Sequence, residues 1–170
     1  MSFLRYFFKS GKLFIYAGIS AVISLLMAEI LQSYRDIALY FRLFLTVLPI
    51  LLILRIADDV SDYEKDSQTK EQPLRKSQLR LTLAAAMIVF VLLNLCFYQL
   101  AGLGSLCVLA YILLQQKAEI LKLFFMPLAS SYYFYVNQTS GMSLYMIAGY
   151  LGVCVGASAL FYWFKRRRSR

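Results

Sequence analysis

Between Ile37 and Ala57 the sequence reads IALYFRLFLTVLPILLILRIA, an apolar run interrupted only by Arg42 and Arg55. A run of this kind constrains the fold more than any other feature of the chain. About 20 apolar residues in a helix cross the roughly 30 Å hydrocarbon core of a bilayer. Further apolar segments lie at 13–31, 81–100, 102–116, 120–136 and 142–164, and 61% of the 170 residues are hydrophobic. The reading is an all-α integral membrane protein, one domain over residues 1–170, with about six transmembrane helices. Arg5, Lys9 and Lys12 precede the first segment. That segment exceeds the usual length of a signal-peptide apolar stretch and lacks a small-x-small cleavage site, so it counts as the first span.

Charge tests this topology. With the N-terminus in the cytosol, sixteen of the 18 Lys and Arg fall on the inner side. Only Arg35 and Arg42 fall outside, which agrees with the positive-inside rule for six spans and two cytosolic termini. The tail KRRRSR is expected to touch anionic lipid, and no basic soluble domain exists to bind nucleic acid. Tyr132, Tyr133 and Tyr135 read as an outer aromatic belt, and Phe161, Tyr162, Trp163 and Phe164 as an inner one. The chain has no histidine, which removes imidazole acid–base chemistry and His-ligated zinc or haem. Cys96, Cys107 and Cys154 show no CxxC spacing and read as small packing residues.

The cytosolic loop 58–80 carries the chemistry. Five of the nine acids fall within DDVSDYEKD, residues 58–66. On a helix turning about 100° per residue, Asp58, Asp62, Asp66, Asp59 and Arg55 share an arc of about 100°, with Glu64 opposite. Carboxylates so crowded repel one another, and a divalent cation offsets the repulsion. Mg²⁺ prefers oxygen ligands and commonly combines a few carboxylates with substrate phosphates. Arg55, Lys65, Arg75, Lys76 and Arg80 stand near in sequence to neutralise phosphate charge. The plain alternative is a solvated loop carrying charges.

At this motif the sequence resembles the UbiA superfamily of intramembrane prenyltransferases. The first aspartate-rich motif of that family, NDxxDxxxD, ends its second helix on the cytosolic side, and DDVSDYEKD matches with Asp58 in the leading position. The flanking residues look like a bacterial branch with R-I-x-D-E-x-x-D-Y-E-x-D, followed by H-P-x-R where this chain has Gln72-Pro73-Leu74-Arg75. YILLQQKAEIL and FFMPLASSYYF resemble its fourth and fifth helices. The resemblance implies an inner-membrane protein that holds a prenyl diphosphate through Mg²⁺ on Asp58, Asp59, Asp62 and Asp66. Arg75 would sit in the loop that closes over the diphosphate, with Arg55, Lys65 and Arg80 as further substrate-binding candidates from their nearness in sequence, and a prenyl group would pass to an aromatic or other acceptor. The chain departs from the family in three ways. The sixth segment ends in FYWFKRRRSR without the second acidic motif, six segments stand where about nine are usual, and the glycine after H-P-x-R is missing. Glu119 reads as a helix-end residue, not a replacement for that motif.

Two other classes remain. One is a non-catalytic relative that binds a lipid diphosphate or a partner, including a second copy or another chain that supplies missing groups. The other is a small transporter or immunity-type membrane protein, against which the lack of a buried acid pair counts. Glu29 lies near the outer end of the first segment, within reach of the interface. Pro49 and Pro127 are read as kinks that open space for a lipid chain. Asn137-Gln138-Thr139 matches a glycosylation sequon and is discounted in a bacterial-type chain. Gly149, Gly152 and Gly156 suit helix packing or self-association.

Overall fold

A computed structural model describes residues 12–31, 36–64, 75–137 and 144–168. Every regular element among them is helical: α1 (Lys12–Ile30), α2 (Ile37–Ser61), α3 (Lys76–Tyr98), α4 (Ser105–Gln115), α5 (Phe125–Val136) and α6 (Leu144–Arg168). Two 3₁₀ segments, Gln99–Gly104 and Glu119–Phe124, precede α4 and α5. Three stretches are long and apolar enough to cross a membrane: Leu13–Ile30, Ile37–Ser61 and Lys76–Gln115.

The third stretch is not straight. Gln99 adopts φ 52°, the one positive-φ non-glycine residue among those described. The chain then doubles back so tightly that a Cβ on Gly102 would stand 2.4 Å from the Asn94 carbonyl oxygen. Only glycine fits that approach. α4 and α5, at about 16 and 18 Å, are too short to cross about 30 Å alone. The 3₁₀ turns before them add about 12 Å each.

The sorting of side chains suits lipid as the surrounding solvent. α1 turns Phe14, Ile15, Val22 and Leu25 outward and buries Ser20 and Ser24. Thr46, Asn94, Ser105, Gln115 and Ser130 are buried as well, while Leu81, Ile88 and Leu92 of α3 are exposed. An apolar exterior, with small polar groups set into an otherwise apolar core, is the arrangement of a bundle whose exterior meets hydrocarbon and whose helices bond to one another through those groups. α2 is central, packing against α1, α3 and α4 and contributing Leu43, Val47, Ile50 and Ile53 to the core. Asp36 caps it, its Oδ1 accepting from the Leu39 amide at 3.0 Å.

Several expectations change. Tyr133 is 1% exposed and Tyr132 is half-buried, so of the expected outer belt only Tyr135 faces outward. The two inner rings are drawn in by hydrogen-bonding and ring contacts in the core. The side chains of Phe161, Tyr162 and Phe164 lie outside the described set, and Trp163 is exposed. Cys96 and Cys107 are exposed, so they meet the surroundings of the bundle instead of packing its core. Pro127 stands in the first turn of α5, where its missing N–H disturbs nothing, whereas Pro49 is inside α2. A Cβ on Gly149, Gly152 or Gly156 would meet nothing within 4 Å, so no other described helix packs against these positions.

Candidate functional site at the acidic end of α2

α2 runs one turn past the apolar stretch and carries Asp58 and Asp59 in its last turn. It stops at Ser61, with Asp62 as C-cap, its N–H donating to the Asp58 carbonyl at 2.9 Å. Of the carboxylates expected on one helical arc, Asp58 and Asp59 lie on the helix and Asp62 closes it. Asp66 and Lys65 lie outside the described residues. The C-terminus of α2 carries the negative end of the macrodipole, which Asp58 and Asp59 in the last turn oppose.

Cations gather to compensate. Arg55 pairs with Asp59 one turn on, at 2.5 Å, with the Asp59 side chain 13% exposed. Lys122, sixty-four positions along the chain in the second 3₁₀ segment, reaches the Asp58 Oδ1 at 3.3 Å. Lys76, opening α3, holds Glu64 at 2.5 Å. That hydrogen bond first, then the lysine's charge and more weakly that of Arg80, keep the Glu64 carboxyl below its ordinary range. Tyr16 of α1 lies within electrostatic reach of Arg55, Asp59 and Asp58. Asp62, Arg75 and Arg80 are exposed at the same end. The Arg75 amide donates to Gln78 Oε1 at 3.0 Å and starts α3. The side chain of Glu119 is outside the described set.

The sequence reading did not include Lys122 in the site. Its signal was available, because the charge count places Lys117 and Lys122 on the side of the acidic loop. Gln115 and Gln116 also went unremarked. Gln115 is 2% exposed, and its Oε1, together with both amide atoms of Gln116, is buried with no hydrogen-bond partner among the described residues. Each such atom costs about 1–3 kcal/mol unless something completes it.

Below the charges lies a narrow apolar crevice of about 20 Å³ between α1, α2 and α5, lined by Ile23, Met27, Ile50, Leu51, Met126 and Tyr133 among others. Leu51 precedes Asp58 by seven residues, about 10 Å along the helix. Pro49 of α2 and Pro127 of α5 flank this space in sequence.

The donor set is one of carboxylate oxygens, which suits Mg²⁺. Among the described residues no three acidic, His or Cys side chains come together around one ion position. One or two carboxylates completed by phosphate oxygens and water is the ordinary protein share of a Mg²⁺ shell.

No family model matches this chain, and no curated protein or solved structure does.

Proposed function

We propose that the acidic end of α2 binds the Mg²⁺ complex of a prenyl diphosphate at the cytosolic face of a bacterial inner membrane, in a six-span bundle resembling the UbiA prenyltransferases. The observation that carries this reading is the exchange of partners the site permits. Asp58 and Asp59 are held by Lys122 and Arg55, two opposite charges that a metal–diphosphate would separate. The carboxylates would turn to the cation and the lysine and guanidinium to the phosphates, so every charge keeps a partner. Asp62, Asp66, Lys65, Arg75 and Arg80 extend the two sets.

The reaction class is prenyl transfer. The allylic C–O bond breaks, its electron pair leaves on the diphosphate, and a bond forms to an acceptor that gives its proton to solvent. Mg²⁺ would supply charge neutralisation of the leaving group. The non-catalytic reading, a lipid-diphosphate-binding subunit completed by another chain or a second copy, is favoured by one observation. No carboxylate follows Glu119 in this sequence to form a second acidic motif.

Melting of the purified chain with geranylgeranyl diphosphate tests the binding claim. A ligand at about 100 times its dissociation constant adds about 2.7 kcal/mol. The expected rise requires Mg²⁺ and disappears in Asp62→Asn/Asp66→Asn. An unchanged melt in both proteins would rule out the site.

A further inference from the structure

We propose that a groove between α1 and α2, at the end of α2 opposite the acidic cluster, binds the primary ammonium headgroup of a phospholipid. The proposal stands apart from the reading of the acidic end. Leu25, Leu26, Ala28 and Glu29 of α1, with Ile37 and Tyr40 of α2, line one open cavity of about 420 Å³. Small-molecule sites occupy about 300–1,000 Å³, so the groove has room for a headgroup.

Charge selects the occupant. Glu29 is exposed at the penultimate position of α1 and makes no ion pair among the described residues. Arg42, the described cation nearest the groove in sequence, stands instead 5.9 Å from the centre of the Tyr98 ring. Asp36, a second exposed acid, caps α2 through Oδ1. A carboxylate accepts hydrogen bonds and offers none, so the groove calls for a cationic donor. Tyr40 adds an aromatic wall, its ring stacked on Phe44. A quaternary ammonium is recognised by an aromatic cage. One ring and one carboxylate suit the N–H donors of a primary ammonium.

Position selects a lipid over a free amine. α1 and α2 contain two of the three stretches that can cross a membrane. Glu29 stands about 24 Å along the helix from Leu13, near the depth where hydrocarbon gives way to headgroups. Leu25, Leu26 and Ile37 are 58%, 51% and 69% exposed. An acyl chain covers these walls, and a free amine leaves them bare.

The test titrates the full chain in maltoside micelles with dioctanoyl phosphatidylethanolamine, phosphatidylcholine, phosphatidylglycerol and free ethanolamine, following the melting of wild type, Glu29→Gln and Tyr40→Leu. In the wild type we expect a saturable rise with phosphatidylethanolamine, a smaller one with phosphatidylcholine, and none with phosphatidylglycerol or ethanolamine. The rise is lost in Glu29→Gln and reduced in Tyr40→Leu. No rise in the wild type, an equal rise with phosphatidylglycerol or ethanolamine, or a rise that survives in Glu29→Gln each overturns the proposal. Native mass spectrometry of the wild type with an equimolar mixture of the three lipids repeats the headgroup comparison without any variant. Preferential retention of phosphatidylethanolamine is expected, and equal retention of the three overturns the proposal.

Discussion

Two polar clusters sit at opposite ends of α2, and they are built on different plans. At the N-terminal end, near Thr46, the groups are neutral and close on one another. Tyr132 donates to Asn94 Oδ1 at 3.0 Å, Asn94 Nδ2 donates to the Phe90 carbonyl at 2.8 Å, and Asn137 Nδ2 donates to Tyr133 O at 2.9 Å and to the Tyr98 hydroxyl at 3.3 Å. Arg42 stands 5.9 Å from the centre of the Tyr98 ring. At the acidic end the groups are charged, half-open and compensated from distant segments, with buried carboxamides left over. The neutral hydrogen bonds of the first end hold helices together, and the Tyr133 hydroxyl and Ser105 Oγ are buried there without a hydrogen-bond partner among the described residues. The difference between the ends is charge: ion pairs at the acidic end can exchange partners.

The comparison breaks most sharply at the closed end. Gly102→Ala drives a methyl against the backbone of Asn94 and Leu95, and a loss of about 1–3 kcal/mol is expected in reversible unfolding from micelles. Asn94→Leu removes the Tyr132 bond and should cost about 1–2 kcal/mol, with ligand binding at the other end unchanged. At the acidic end the stability effects are smaller and the binding effects larger. Asp59→Asn leaves Arg55 without its partner one turn away and should cost about 1 kcal/mol. Adding Arg55→Gln should cost less than the sum of the two single changes, measured as a double-mutant cycle.

The smallest effect belongs to Glu64. Its carboxyl titrates below the ordinary range, so the Lys76 pair contributes stability above the unfolded carboxylate pKa and loses it as pH falls through the folded value. Lys76→Met should flatten that acid limb of a pH–melting profile, and salt should do the same because the pair is exposed.

The apolar runs made the helices legible almost to their ends, since spacing of hydrophobic residues decides where the chain enters lipid. What stayed hidden depended on tertiary contacts. Tyr132 and Tyr133 look like interface residues until Asn94 and Tyr98 are brought beside them. The break at Gln99 is invisible because Gly102 carries no mark of what lies 2.4 Å from its missing Cβ. α2 continues into DDVS and ends there, with Asp62 as its C-cap, and Lys122 enters the site only when the second 3₁₀ segment folds back. Asn137, first of a sequon, spends its side-chain nitrogen on Tyr98 and Tyr133, and it is 7% exposed.

The most direct test compares the two ends in one experiment. Binding of Mn²⁺, as a paramagnetic substitute for Mg²⁺, is followed by electron paramagnetic resonance with and without geranylgeranyl diphosphate, in the wild type, Asp58→Asn/Asp59→Asn and Asn94→Leu. We expect diphosphate-dependent binding in the wild type and in Asn94→Leu, and at least a tenfold loss in the aspartate variant, about 1.4 kcal/mol. Equal binding in all three proteins, or none in the wild type, would contradict a metal–diphosphate site at the acidic end of α2.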